Sequence, residues 1–107
     1  MRDILERGMT ILDVLDGLSH DDFVSDVLRQ KAVFYDFQCI SEATARLLDM
    51  DPSLAERHVE IPWSQVRALG NVVRHVYGRL DIEVIWETAA GPRLRALMDV
   101  VRRELGE

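Results

Sequence analysis

The sequence predicts an all-α protein, a helical bundle, on three observations. Apolar residues recur at three- and four-residue steps through most of the 107 residues. Nowhere do they alternate residue by residue between the tight turns that join hairpin strands. The punctuation between periodic stretches is that of helices: Gly, Pro, or a Ser or Asp placed to cap.

Taken in order, Ile4, Leu5, Gly8, Ile11, Leu12 and Leu15 share one face of a first helix. Gly17 follows where a left-handed cap is expected. Ser19-His20-Asp21-Asp22 reads as a capping box with Asp in place of the usual Glu, and Phe23 packs the short helix that it starts. Val27, Leu28, Ala32, Tyr35, Cys39, Ala43 and Leu47 then recur through the longest periodic run. That run has no internal Gly or Pro, which predicts one helix from Asp26 to about Leu48. Asp51-Pro52 opens a short turn, with Pro52 suited to the first helical position. Ile61-Pro62-Trp63 opens a helix expected to reach about Tyr77, and Gly78 helps to end it. Asp81 is a fitting N-cap for a helix over 82–88, and Gly91-Pro92 breaks the chain before a last helix from Leu94 to Leu105. No repeat, low-complexity run or linker divides the sequence, so a single domain over 1–107 is expected.

A hydrophobic fraction of 48% supplies a core for one small domain. No apolar stretch approaches the roughly 20 residues that span a membrane. The first residues alternate charge with apolar groups, unlike a secretory leader. Cys39 is the lone cysteine and makes no internal disulfide. The expected setting is therefore cytoplasmic, with no membrane partner. A net charge of −6 argues against a broad, nonspecific DNA-binding surface, yet leaves room for a small site where local arginines hold a few phosphates. His20, His58 and His75 lack metal-ligand spacing, and no glycine loop cradles a phosphate. Neither a metal nor another cofactor is expected.

The segment 67–77 holds the most chemistry. On a helical wheel Val66, Leu69, Val73 and Val76 cluster on one side, the expected core face. His75 lies nearly opposite, with Asn71 one turn before it and the small residues Ala68 and Gly78 along the same strip. Small residues let another helix approach closely. A histidine moves protons near neutral pH, and an asparagine one turn away orients it or holds a phosphate oxygen. The pair is a half-site for cutting RNA, where a base activates the ribose 2′-hydroxyl. A plain solvated helix face would carry the same residues, and spacing alone leaves both readings open. Glu42 reads as an acid or base, an arginine partner or part of a dimer seam. Trp63 and Trp86 read as packing anchors and Cys39 as a small core residue.

Ile61-Pro62-Trp63, Asn71-x-x-x-His75-x-Tyr77 and Asp81-x-x-x-x-Trp86-Glu87 resemble the C-terminal half of HepT-like proteins of the HEPN superfamily. Phe23-x-x-Asp26, Lys31-Ala32-Val33 and Ile40-Ser41-Glu42-Ala43 are similar to positions in the N-terminal half. The resemblance runs from Arg2 to about Leu105 in order and spacing. It implies a HEPN-like helical bundle that pairs as a homodimer, with two Arg-x4-His motifs facing across the dimer cleft. It also implies a metal-independent ribonuclease, the toxin of a toxin–antitoxin system. The antitoxin partner would be a minimal nucleotidyltransferase that adds AMP to the motif tyrosine, here Tyr77.

One residue departs from the pattern. The motif arginine should precede Asn71, and Gly70 stands there. Without a guanidinium, the developing negative charge on a phosphate loses its strongest donor. Gly70 also costs a helix interior roughly 1 kcal/mol relative to Ala. Arg74 and Arg67 lie within about 40° and 60° of Gly70 on the wheel. Arg74, adjacent to His75, is a candidate substitute, although both arginines also fit as surface charges. Two functions stay open: a ribonuclease with His75, Asn71 and Arg74 as its catalytic set and reduced activity, or a non-catalytic HEPN subunit that binds the nucleotidyltransferase.

Overall fold

The computed structural model describes residues 1–69 and 81–106. Among these residues the chain forms seven helices and no strand. They are α1 (Arg2–Leu15), α2 (His20–Val24), α3 (Val27–Met50), α4 (Ser53–Arg57), α5 (Trp63–Arg67), α6 (Ile82–Ala90) and α7 (Pro92–Glu104). The all-α bundle is the predicted class.

The helix ends follow local chemistry. Gly17 adopts a left-handed φ of +74° after α1, which a side chain would resist. The α2 capping box closes with Asp: the Asp22 N–H donates to Ser19 Oγ at 3.1 Å, and the Ser19 N–H donates to Asp22 Oδ2 at 3.2 Å. Asp26 caps α3 by accepting from the Arg29 N–H at 3.1 Å, and Asp81 caps α6 by accepting from the Val84 N–H at 3.2 Å. Gly91 is extended and Pro92 sits in the first turn of α7. That helix therefore starts two residues before the expected Leu94.

α3 is the central element and packs against α1, α2, α4, α5 and α6. Its inward seam is Val33, Phe34, Phe37, Ile40, Thr44 and Leu48, at helical spacing. Against it lie Ile4, Leu5 and Ile11 of α1, Phe23 of α2, Trp63 of α5, and Ile85 and Ala89 of α6, and Leu97 and Met98 of α7 belong to the same core. The apolar stripe that revealed α3 in the sequence is a different one. Val27, Leu28, Ala32 and Tyr35 are exposed, Cys39 and Leu47 are half-buried, and Ala43 alone of that set is buried. α3 thus carries apolar residues on two sides, and the side with both phenylalanines and Ile40 buries more area and wins the interior. Cys39, expected in the core, sits at its edge.

Burial leaves few polar groups stranded. Gln30 donates to the carbonyls of Phe23 and Val24 at 2.9 and 2.8 Å, closing the end of α2. The buried Asp36 carboxylate accepts from Arg7 of α1 at 3.1 Å. Burial pushes the Asp36 carboxyl above its ordinary value, and Arg7 pulls it back.

Candidate active site

Gly70, Asn71, Arg74, His75 and Tyr77 all lie outside the described residues, as do Val73, Val76 and Gly78. What the structure places is the pair of flanks that hold the two ends of that segment.

On the leading side, Arg57 of α4 clamps the approach. It donates to Asp51 at 3.0 Å and pairs with Glu104 at the end of α7. Ser53 and Arg57 hold the Asp51 carboxyl below its ordinary value, and Arg57 does the same for Glu104. Ile61 and Trp63 are then buried, and the Trp63 indole N–H donates to the His58 carbonyl at 2.8 Å. α5 is anchored by these contacts because five residues make no stable helix alone.

The helix expected to run from Trp63 to Tyr77 is interrupted at its first third. α5 closes at Arg67, with Ala68 as its C-cap and the Ala68 N–H bonded to the Ser64 carbonyl at 3.2 Å. At that point Ser41 Oγ of α3 donates to the Arg67 carbonyl. Leu69 is helical again. Val66 and Leu69, two of the four residues expected on the core face, are half-buried against the core. Arg67 turns to Asp49 of α3 at 3.5 Å and is a paired surface charge.

On the following side, Asp81 starts α6 and Ile85 buries its inner face. Trp86 packs on Phe23 with ring centroids 5.4 Å apart and meets the His20 ring edge-on at 5.5 Å, so both tryptophans are packing anchors. His20 Nε2 lies 2.9 Å from the Glu83 carboxylate. That bond raises the His20 pKa above its ordinary value and ties α2 to α6.

Between the flanks opens a cavity of about 620 Å³. Phe37 and Ile40 of α3 and Val66 and Leu69 of the leading side form part of its apolar wall. Gln65, Glu87, Thr88 and Arg93 put polar groups beside it. Spacing did not single out Gln65, Thr88 or Arg93, because they come from three separated stretches that meet only in the fold. Among the described residues no group of His, Cys, Asp or Glu could hold a metal ion, and no helix is long and apolar enough to cross a membrane. Glu42 is exposed on α3, away from this cavity's lining.

The profile of the family described as "Ribonuclease HepT-like" matches residues 4–104. The chain belongs to the HepT-like ribonuclease family. Among similar proteins, one of Thermococcus cleftensis named a probable ribonuclease HepT is 27% identical over 106 residues, covering 96% of this chain and 93% of that one. A protein of Methanocaldococcus jannaschii provisionally named an RNase is 29% identical over 85 residues, 79% of this chain and 68% of the relative. Another, of Caldanaerobacter subterraneus subsp. tengcongensis, is 27% identical over 85 residues, 79% of this chain and 73% of the relative. No solved structure matches the chain significantly. The HepT-like assignment makes ribonuclease chemistry the family-level activity, and it agrees with a bundle whose anchors flank the Asn71-x-x-x-His75-x-Tyr77 segment.

Proposed function

We propose that this HepT-like chain is the toxin of a toxin–antitoxin pair, a weakened metal-independent ribonuclease that acts as a homodimer. The observation that carries this reading is the family match over 4–104, which encloses the Asn71-x-x-x-His75-x-Tyr77 motif with Gly70 at its head. His75 takes the proton of a ribose 2′-hydroxyl, Asn71 holds a phosphate oxygen, and Arg74 supplies the positive charge from one turn further along. A two-fold axis brings two such motifs to one cleft. A nucleotidyltransferase antitoxin silences the site by adding AMP to Tyr77, whose hydroxyl attacks the α-phosphate of ATP and releases pyrophosphate.

Gly70 favours a second reading. A chain lacking the guanidinium serves equally as a non-catalytic subunit that binds the nucleotidyltransferase and is still modified on Tyr77. Cleavage of RNA by the wild type beside Gly70→Arg, Arg74→Ala and His75→Ala separates the two. The expected order is Gly70→Arg above wild type by on the order of a hundredfold, and the two alanine variants below it. A Gly70→Arg protein that cleaves nothing while circular dichroism shows it folded favours the binding subunit. Mass spectrometry after incubation with the cognate nucleotidyltransferase and ATP should find AMP on Tyr77, and none in Tyr77→Phe.

A further inference from the structure

The outer side of α3 carries apolar and charged side chains that lie exposed among the described residues. Leu28, Lys31, Ala32, Tyr35, Glu42 and Arg46 lie within about 60° of one line along the helix, and all are exposed. Leu28 is 81% exposed and Tyr35 57%. Tyr35 is already held in place: the Arg7 guanidinium stacks 5.2 Å from its ring centroid and is itself fixed by buried Asp36. An aromatic side chain immobilised beforehand loses little freedom on docking. At the C-terminal end of α3, Met50 is also exposed, at 85%. Among the described residues neither Lys31 nor Glu42 has an ion-pair partner.

The order of these residues is complementary to its own reverse. About a midpoint at Phe37, Tyr35 mirrors Cys39 and Leu28 mirrors Arg46. Lys31 falls within one residue of the mirror position of Glu42, an axial offset of about 1.5 Å. Two copies of α3 laid antiparallel about a two-fold axis therefore set Lys31 beside the partner's Glu42, and do so twice. Leu28 then falls under the aliphatic stem of the partner's Arg46, and Tyr35 against the partner's Cys39. A parallel arrangement would set like charge against like.

We propose that this face of α3 is the seam on which a second copy of the chain docks, antiparallel, with Lys31–Glu42 pairs fixing the register. The proposal rests on the homodimer reading and adds the surface that makes it. Charge reversal tests it, since both positions are exposed and their reversal leaves the core intact. Sedimentation velocity of Lys31→Glu and of Glu42→Lys should each show a dimer weakened by about tenfold or more, because each creates two like-charge contacts. Lys31→Glu/Glu42→Lys in one chain should restore it. Mixing the two single variants should give a heterodimer, in which one charge pair is native and the other reversed. A dimeric wild type whose single variants stay equally dimeric overturns the seam and leaves the homodimer standing. A monomeric wild type overturns both.

Discussion

Thr44 shows how one side chain can work against the fold that surrounds it. It lies on the inner side of α3, fully buried, and its Oγ1 finds no hydrogen-bond partner among the described residues. A buried hydroxyl left unpaired costs about 1–3 kcal/mol. Thr44→Val keeps the shape and removes the polar atom, so it should raise stability by about 1 kcal/mol and the Tm by roughly 4–8 °C, as a thermal melt would read. A lower Tm would mean that the hydroxyl has a partner after all, an ordered water for instance. Gly70 is the functional counterpart. On the proposed reading its replacement by Arg should strengthen cleavage, because that reading gives His75 the proton and Asn71 the oxygen, and neither carries fixed positive charge. On the same reading Arg74, four positions further along the sequence, should recover only part of the loss. Equal cleavage by wild type and Gly70→Arg, with Arg74→Ala unchanged, would remove the missing arginine from the account.

At the scale of elements, α1 crosses α7 closely at Gly8. A Cβ on Gly8 would lie 2.7 Å from Met98 Sδ and 2.8 Å from Met98 Cγ. Gly8→Ala should be near neutral, because the helix gains about 1 kcal/mol of propensity while buried Met98 shifts to make room. Gly8→Val adds bulk that Met98 cannot clear and should destabilise by about 1–3 kcal/mol in urea unfolding. An unaffected Gly8→Val would show that the crossing is looser than this contact. The helices themselves were legible because their signals are local. The Ser19 box, the Asp81 cap and the Gly91-Pro92 break each act within four residues of where they stand. What escaped the sequence depends on distant partners. Beside the break at Ala68, the Arg67 carbonyl accepts from Ser41, 26 positions before Arg67. The choice between the two apolar sides of α3 needs α1, α5 and α6 in place. The motif around His75 was legible as spacing, whereas the cavity beside its flanks is assembled from four helices and leaves no pattern in the chain.

At the scale of the whole molecule, the arrangement around α3 predicts how the protein unfolds. Short helices such as α4 and α5 do not stand alone. They persist because Leu54, Ile61 and Trp63 are buried in the same core as Phe37 and Ile40. The chain is also closed end to end, since α1 packs on α7 and Arg57 ties α4 to Glu104. Loosening one element thus exposes the apolar surface of its neighbours, and the described helices should melt as one unit. The two tryptophans report on it independently. Trp63 sits on α5 and Trp86 on α6, packed on Phe23 and His20. In Trp86→Phe the fluorescence follows the α5 side, and in Trp63→Phe it follows the α6 side. Within each variant, the urea midpoint and slope from fluorescence should coincide with those from helical circular dichroism. The comparison is internal to each protein, so the stability lost with either indole does not disturb it. If Trp63 fluorescence changes at lower urea than the helix signal, the stretch leading to the motif opens before the rest, and the single cooperative unit gives way to a core with a separately melting flank.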